Sequence, residues 1–486
     1  MTPKLANPQQ FIDGEFSPGA GGPLDVENPY TEKTLATIEQ SSVADAERAI
    51  VGARRAQEGP WATMPRADRR AALMRLADTI EARSEEILDL QIAETGMYRM
   101  LCEFVNINKA LGWWREFAEL AGREWDEPMR PLNWTTVLDA KYTGGWIFQE
   151  PAGVVSAIVP FNFPFFVTTA KAGAALAAGC SVVLKISELT PLTGSLIAEC
   201  VAEAALPPGT FQYVIGGPDV GAAMVTHPEV DVVSFTGSTR TGGQIAAEAG
   251  RGIKKTVLEL GGKSAAIILE DADLDAIMTD LVGSYAHGGQ GCALTTRFVL
   301  RNEIADEVIE RMRNFVPFLT PGDPAEATTT HSPQINAAAR ERILGLIDDG
   351  ANSGAELVYG GTAIDDQPCG HWVAPTLFDR CPVNARIAQE EVFGPVVVVH
   401  RVSSDEEAIA VANQSDFGLW GAVFTQDLER GIRIARGVRT GCMGVNGEVV
   451  SMNAPFGGVK KSGIGREFGE WGVREFMEPK SVTWHA

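Results

Sequence analysis

The sequence predicts an α/β protein with a doubly wound parallel sheet, because strand-like and helix-like runs alternate along its middle part. The β-rich runs are Val154–Val159, Ser181–Lys185, Phe211–Ile215, Val230–Phe235 and Lys255–Leu260. Helical stretches separate them near Phe166–Ala178, Pro191–Ala205, Val220–Val225 and Gly242–Ala249. Such alternation is typical of parallel sheets, since each crossover helix returns the chain to the same end of the sheet.

The length of the chain predicts more than one domain. Its 486 residues exceed what a single hydrophobic core supports, so we expect two or three domains. A second α/β pattern runs from 271 to about 460, with strand candidates at Arg297–Leu300, Val396–Arg401 and Gly421–Phe424. Ligands bind preferentially between domains, so chemistry is expected in the cleft between these two units.

The segment before residue 125 is expected to pack against the first unit. It begins with a hairpin-like stretch, a turn at Asn28-Pro29-Tyr30 and an alanine-rich helix over Val43–Glu58. Between 66 and 121 the apolar residues, among them Leu73 and Ile80, recur at the spacing of amphipathic helices. We interpret these helices as packing elements. The segment 126–150, rich in Trp, Tyr and Thr, then interrupts the first unit.

The longest apolar stretch, Val154 to Leu184, has the length of a membrane span. It contains Pro160, Pro164 and Lys171, each of which is costly or disruptive in lipid. A buried strand-helix-strand unit therefore explains this stretch better than a membrane helix does.

Composition excludes several classes of partner. The chain has 41 Lys and Arg against 63 Asp and Glu, and this net charge of −22 argues against nucleic-acid and anionic-membrane surfaces. Its seven cysteines are scattered and never form Cys-x-x-Cys, so neither a disulfide framework nor a metal site is predicted. The N-terminus lacks the apolar region of a secretory signal, which favours a cytoplasmic location.

Three glycine- or proline-flanked runs carry side chains suited to covalent catalysis. Cys292 follows Gly288-Gly289-Gln290-Gly291 and is open to attack a substrate, although a lone cysteine is more often a buried apolar residue. Glu259 ends a β-rich run before a glycine turn and is a candidate base, although most glutamates are surface groups. Asn162, between two prolines, suits an oxyanion, although by itself it reads as a turn residue.

These runs occur in one order with Phe235-Thr236-Gly237-Ser238, Glu390-Glu391-Val392-Phe393-Gly394-Pro395 and Pro455-Phe456-Gly457-Gly458. Together they resemble the NAD(P)-dependent aldehyde dehydrogenase superfamily over essentially the whole chain. The resemblance implies a Rossmann-like NAD-binding domain (1–125 and 151–260), an α/β catalytic domain (261–460) and a small β arm (126–150 and 470–486). The arm implies a homodimer or homotetramer.

The resemblance also implies roles for individual residues. Cys292 would be the nucleophile, Glu259 the base that activates the deacylating water, and Asn162 an oxyanion donor together with the backbone N–H of Cys292. Cofactor contacts would come from Pro160, Phe161, Lys185, Glu188, Gly237, Ser238, Leu260, Glu391 and Phe393. The Gly237–Gly242 turn opens a helix, which favours phosphate binding. Glu188 favours NAD, with NADP as a poorer cofactor.

The substrate is expected to be a small-molecule aldehyde. The resemblance places Phe163, Val167, Ala170, Ala286, Gly291, Ala293 and Phe456 along the substrate tunnel. This set contains small and aromatic residues without an arginine, which favours a neutral, fairly bulky aliphatic, terpenoid or aromatic aldehyde over a semialdehyde. Residues 448–452 form a loop, and the sequence does not fix how its residues align with those of family members.

Two alternatives to this reading of the sequence remain. One is a CoA-acylating enzyme, against which Glu259 argues, because such relatives commonly lack glutamate at this position. The other is a dinucleotide-binding protein without catalysis, against which the joint presence of Cys292, Glu259 and Asn162 argues.

Overall fold

The computed structural model describes residues 8–129, 144–447, 451 and 453–484. The strands in chain order are β1 (Gln10–Ile12), β2 (Glu15–Ser17), β3 (Pro23–Asn28), β4 (Lys33–Glu39), β5 (Glu127–Pro128), β6 (Gly144–Pro151), β7 (Val154–Val159), β8 (Ser181–Ile186), β9 (Phe211–Ile215), β10 (Val232–Thr236), β11 (Lys255–Glu259), β12 (Ala265–Ile268), β13 (Arg297–Arg301), β14 (Glu356–Tyr359), β15 (Thr376–Asp379), β16 (Val396–Val402), β17 (Gly421–Phe424), β18 (Gly444–Val445), β19 (Gly463–Ile464) and β20 (Met477–Trp484).

The α-helices in chain order are α1 (Val43–Gln57), α2 (Arg66–Ala82), α3 (Ser84–Thr95), α4 (Arg99–Leu101), α5 (Lys109–Ala121), α6 (Pro164–Thr168), α7 (Ala174–Ala178), α8 (Leu192–Glu203), α9 (Pro218–Thr226), α10 (Thr239–Arg251), α11 (Leu274–Val282), α12 (Ala305–Phe315), α13 (Ala337–Ala351), α14 (Arg386–Gln389), α15 (Asp405–Asn413), α16 (Leu428–Gly437) and α17 (Gly469–Arg474). Two π-helical segments, Cys102–Asn108 and Thr169–Gly173, join α4 to α5 and α6 to α7.

The first sheet confirms the predicted doubly wound fold. Its strand order is β19-β11-β10-β7-β8-β9-β1-β2, and the neighbours from β11 to β9 run parallel. Side chains of β8 alternate between two cores: Val183 packs in the core of α1 and α9, and Leu184 in the core of α2 and α8. The sheet is therefore covered by helices on both faces, as the alternating sequence pattern predicted.

The second sheet has the strand order β14-β15-β16-β13-β12-β17-β18. Its strands β13, β16 and β17 were predicted, but the interior strand β12 was not, because its four apolar residues directly follow a glycine turn. Since β11 ends at Glu259 in the first sheet and β12 begins at Ala265 in the second, the run 260–264 crosses between the sheets. This crossing places the Glu259 motif at the cleft.

A third sheet, β20-β6-β5, contains parts of the two segments predicted to form the arm. Strands β6 and β20 pair antiparallel over their full length, from Met477 opposite Pro151 to Trp484 opposite Gly144. The rest of the arm prediction, residues 130–143, lies outside the described residues, as do Met1–Asn7 and all of the 448–452 loop except Ser451. The predicted domain boundaries stay a prediction. Among the described helices, none is long and apolar enough to cross a membrane.

Candidate active site

A cavity of about 1130 Å³ lies between the two large sheets. Every site residue predicted from the sequence lines it: Cys292, Glu259 and Asn162, the nine predicted cofactor residues and the seven predicted substrate residues. The fold thus brings together side chains that are up to 296 positions apart, from Pro160 to Phe456.

The Cys292 loop is packed directly against two other glycine-rich runs. A Cβ atom at Gly262 would lie 2.4 Å from the carbonyl oxygen of Cys292, and a Cβ at Gly289 would lie 2.0 Å from Gly394. Gly289 also has a φ of +77°, a conformation that favours glycine. The glycines of these motifs therefore allow three loops to meet where side chains would keep them apart.

Burial and nearby carboxylates disfavour the thiolate of Cys292. Burial first, and then the negative charges of Glu391, Glu259 and Glu467, raise the pKa of this thiol to about 12. The side chain is half-buried and faces the cavity. In the absence of ligands the thiol is therefore protonated at neutral pH.

Asn162 is held next to the nucleophile loop. Its side-chain amide Nδ2 donates a hydrogen bond of 2.7 Å to the carbonyl of Gln290, two residues before Cys292. The Gln290 side chain in turn donates to the carbonyls of His287 and Pro333 and accepts from the N–H of Ile335. Gln290, which sequence reasoning did not select, fixes the backbone that Asn162 contacts.

Glu259 is a buried carboxyl group at the end of β11. Neither of its oxygens has a hydrogen-bond partner among the described residues, and a Cβ at Gly457 would lie 2.5 Å from Oε1. Burial, reinforced by the charge of Glu467, raises the pKa of Glu259 well above its usual range. A carboxyl group with a raised pKa can accept a proton near neutral pH, as a general base must.

A buried ion pair stands beside Glu259. Lys171 Nζ lies 2.7 Å from Glu467 Oε1 and also donates to Ser234 Oγ at 3.1 Å. The positive charge of Lys171 opposes the rise in the Glu259 pKa, while Glu467 adds to it. Because Lys171 and Glu467 neutralise each other, the environment of Glu259 is governed mainly by its burial.

The far end of the cavity carries the predicted adenosine and phosphate contacts. Lys185 is 4% exposed, and its Nζ lies 3.7 Å from Oε2 of Glu188, whose side chain is 38% exposed. Ser238 is the N-cap of α10, and its hydroxyl accepts from the N–H of Thr241 at 3.2 Å. The start of α10 thus faces the cavity, as the predicted phosphate contact requires.

Glu391 is hydrogen-bonded to the turn that follows Glu259. Its Oε1 accepts from the N–H of Gly262 at 2.9 Å, and a Cβ at Gly261 would lie 2.4 Å from Oε2. Burial raises the pKa of Glu391 to about 7, while Gly262 and Lys263 act in the opposite direction. Phe393 has a φ of +49°, and its ring meets that of Phe161 edge-on at 5.9 Å. Both predicted nicotinamide-side residues therefore line one wall.

The other end of the cavity has an aromatic wall, of which the sequence predicted only Phe163 and Phe456. The structure adds Phe166, Trp420 and Phe468 to the lining. The rings of Phe468 and Phe456 stack at 5.1 Å, and Phe166 meets Phe468 edge-on at 5.8 Å. Single aromatic residues far apart in sequence give no signal of a shared wall, so sequence reasoning missed them.

The helices predicted only to pack also contribute to this end. Leu101, Val105 and Lys109, from the junction of α4 and α5, line the cavity. Trp113 lies one turn beyond Lys109, and its ring contacts Phe166 at 4.4 Å and Phe468 at 3.9 Å. The segment 101–109 therefore contributes to this end of the cavity as well as to the core.

His287 is buried against the ring of Phe163. It is 1% exposed, and its ring meets Phe163 edge-on at 5.5 Å. Burial lowers the pKa of His287 to about 3, so the ring stays neutral.

Known proteins with this architecture are aldehyde dehydrogenases. The aldehyde dehydrogenase family model matches residues 16–482. Geranial dehydrogenase from Castellaniella defragrans is 37% identical over 476 residues, covering 97% of this chain and 98% of that protein. Betaine aldehyde dehydrogenase from Staphylococcus aureus, solved with NAD+, has a TM-score of 0.95 at 35% identity, covering 99% of this chain and 95% of that one. An aldehyde dehydrogenase from Mycobacterium tuberculosis, also solved with NAD+, has a TM-score of 0.94 at 36% identity, with 98% of both chains covered. The chain therefore belongs to the aldehyde dehydrogenase family, and its reaction class is the oxidation of an aldehyde.

Proposed function

We propose that this chain oxidises an aldehyde to a carboxylic acid with NAD as hydride acceptor, through a covalent intermediate on Cys292. The observation that carries the proposal is the convergence of Cys292, Glu259 and Asn162, from three distant runs, on the cavity that also holds the predicted cofactor residues. Splitting the oxidation into acylation and hydrolysis replaces one difficult step with two easier ones.

In the first half-reaction, the Cys292 thiol loses its proton to water, the thiolate adds to the aldehyde carbon and a C–S bond forms. Asn162 donates one N–H to Gln290, and the second N–H of its amide can donate to the developing oxyanion. A preorganised donor of this kind is typically worth about 10²–10³ in rate. Bound NAD supplies the acceptor for the hydride that leaves the carbon, and Cys292 is left as a thioester.

In the second half-reaction, Glu259 takes a proton from water as the water attacks the thioester carbon. The C–S bond breaks, and the acid leaves. The buried position and raised pKa of Glu259 support this role, because the carboxylate gains a proton more readily than an exposed glutamate does.

The residues at the far end of the cavity fit NAD. Glu188 would accept from the adenosine ribose, the start of α10 would face the pyrophosphate, and Glu391 and Phe393 would hold the nicotinamide ribose. Relatives solved with NAD+ support this choice. A carboxylate at 188 repels the additional phosphate of NADP, so NADP is expected to be the poorer cofactor.

The proposed substrate is a neutral, fairly bulky aliphatic, terpenoid or aromatic aldehyde. The aromatic wall of Phe163, Phe166, Phe456 and Phe468 supports an apolar substrate. The relatives include one enzyme named for a neutral terpenoid aldehyde and one named for a cationic aldehyde. Whether the enzyme accepts neutral or cationic aldehydes therefore depends on the charged side chains along the cavity.

We further propose a homo-oligomer assembled through the β20-β6-β5 sheet, and a cytoplasmic location. Exposed apolar side chains on this sheet, Trp146, Phe148 and Val482, support an interface there. All seven cysteines lie in the described part of the chain and are free, which supports a reducing compartment.

The test is a panel of neutral aldehydes incubated with NAD, in which NADH formation and the product are both measured. A free carboxylic acid formed in amounts equal to NADH is the expected result. A CoA thioester formed only after addition of CoA would replace this proposal with the acylating alternative, and no NADH from any aldehyde would favour a non-catalytic protein.

A further inference from the structure

One cationic group faces the otherwise apolar substrate end of the cavity. Lys109 begins α5, lines the cavity beside Leu101 and Val105, and is partly buried. Burial lowers the pKa of its ammonium group, and no neighbouring charge contributes to this shift. Among the described residues, no carboxylate forms an ion pair with Lys109.

The position of Lys109 relative to the aromatic wall follows from the helix. Trp113 is four residues further along α5, so both side chains share one face of the helix. Trp113 contacts both Phe166 and Phe468 of the wall. On the solvent side, Lys109 Nζ lies 5.8 Å from the ring centre of Phe104, which is 66% exposed. Lys109 therefore lines the cavity on the same helix face as a residue that contacts the aromatic wall, and its ammonium lies beside an exposed ring.

The carboxylates of the cavity do not offset this charge. Among the described residues, the acidic groups that line it are Glu188, Glu248, Glu259, Glu391 and Glu467. Glu188, Glu248 and Glu391 belong to the cofactor end, and Glu467 is paired with Lys171. Burial raises the pKa of Glu259, which disfavours its charged form. The substrate end is therefore positive as well as aromatic.

Charge at this point decides what the aromatic wall can accept. An aromatic pocket can hold a quaternary ammonium group through cation–π attraction as readily as it holds a branched hydrocarbon. A fixed ammonium beside the wall repels a quaternary ammonium group, but it does not repel a branched hydrocarbon. We propose that Lys109 is a specificity-determining residue that excludes cationic aldehydes from this enzyme and leaves neutral aldehydes as its substrates. This inference rests on the proposed substrate end of the cavity.

The test compares two aldehydes of nearly equal shape: 3,3-dimethylbutanal, with a neutral tert-butyl group, and betaine aldehyde, with trimethylammonium in its place. Their kcat/KM values are measured for the wild type, Lys109→Met, Lys109→Arg and Lys109→Glu. Because each variant is assayed with the same pair, differences in aldehyde hydration cancel between variants. Lys33→Met, which removes an exposed lysine of β4, is the matched control.

Lys109→Met should raise kcat/KM for betaine aldehyde about tenfold, because removing a like charge removes a repulsion that an effective dielectric constant of about 20 only partly screens. The kcat/KM for 3,3-dimethylbutanal should change much less than that for betaine aldehyde, and its continued oxidation shows that the variant folds. Lys109→Arg should keep the wild-type ratio of the two kcat/KM values, because it keeps the charge. Lys109→Glu should raise kcat/KM for betaine aldehyde further than Lys109→Met does. Lys33→Met should change neither kcat/KM value. Added salt should reduce the difference in kcat/KM between the two aldehydes for the wild type, but not for Lys109→Met, because salt screens the charge that only the wild type carries.

An unchanged ratio in Lys109→Met and Lys109→Glu, with neutral aldehyde still oxidised, would overturn the role of Lys109 alone. A parallel change for both aldehydes would show that Lys109 supports only the shape of the pocket, and would overturn it too. No oxidation of any neutral aldehyde by the wild type would instead refute the proposed substrate class.

Discussion

The backbone of Gly262 lies against the carbonyl of Cys292 so closely that a Cβ at residue 262 would be 2.4 Å from that oxygen. The turn after Glu259 and the loop of the nucleophile are thus one packed unit, although they come from different runs. The N–H of the same glycine holds Glu391. One residue without a side chain therefore connects the loop of Cys292, the turn after Glu259 and the side chain of Glu391, which are the proposed nucleophile, base and cofactor contact.

Gly262→Ala should displace the Cys292 loop and reduce kcat/KM by about a hundredfold, since a shift of about 1 Å at a reacting centre costs that much. Steady-state kinetics and a thermal melt measure the effect on activity and on stability. Gly243→Ala is the matched control, because a Cβ there meets nothing within 4 Å. Wild-type activity in Gly262→Ala would show that the loop can move without cost.

Cys292→Ala should abolish aldehyde oxidation while NAD still binds, because the proposed cofactor contacts lie on other runs. Activity should fall by several powers of ten, and fluorescence titration with NADH should give an affinity close to that of the wild type. Cys369→Ala, which removes another half-buried free thiol, is the control. Residual turnover within about tenfold of wild type would refute the nucleophile assignment.

Glu259→Gln should spare hydride transfer more than hydrolysis, because the carboxylate is assigned to the second half-reaction. Stopped-flow absorbance should therefore show a rapid burst of NADH followed by slow turnover. Equal loss of the burst and of steady turnover would mean that Glu259 also activates the thiol.

The pKa of Cys292 predicts how the ligand-free enzyme reacts with iodoacetamide. Only the thiolate is alkylated, and with a pKa raised to about 12 its fraction should rise about tenfold per pH unit between pH 7 and 10. Peptide mass spectrometry can follow the modification of Cys292 itself. A rate that levels off near pH 8 would show that the thiol is activated without ligands.

Glu188→Ser should relax the preference for NAD over NADP, because the carboxylate that repels the 2′-phosphate is removed. Buried Lys185, 3.7 Å from Glu188, would then lose its partner and could attract that phosphate. We expect the NAD:NADP ratio of kcat/KM to fall at least tenfold, and NADPH affinity, measured by fluorescence, to rise. The control is Glu341→Ser, the same substitution at a glutamate of α13. A wild type that prefers NADP would show that Glu188 does not face the ribose.

Patterns that are local in the chain were enough to predict much of this protein. The alternation of apolar strands and helices predicted that β7 to β11 form a parallel sheet, because side-chain periodicity reports directly on burial. Glycines precede Cys292 and follow Glu259 in the sequence, and in the structure Gly289 and Gly262 have no room for a Cβ. The nucleophile, base and amide could be selected because each lies within a short, recognisable run.

The sequence by itself determined the fold class, the family and the residues placed on motifs. The tertiary structure alone decided which other side chains share the cavity: the hydrogen bonds of Gln290, the ring contacts of Phe166 and Phe468, and the ammonium of Lys109. It also placed Glu467 and Lys171 beside Glu259, 296 residues apart in the chain. These relationships have no sequence period, because they arise where separate helices and loops pack together, and burial then sets the pKa values that the residue types leave open.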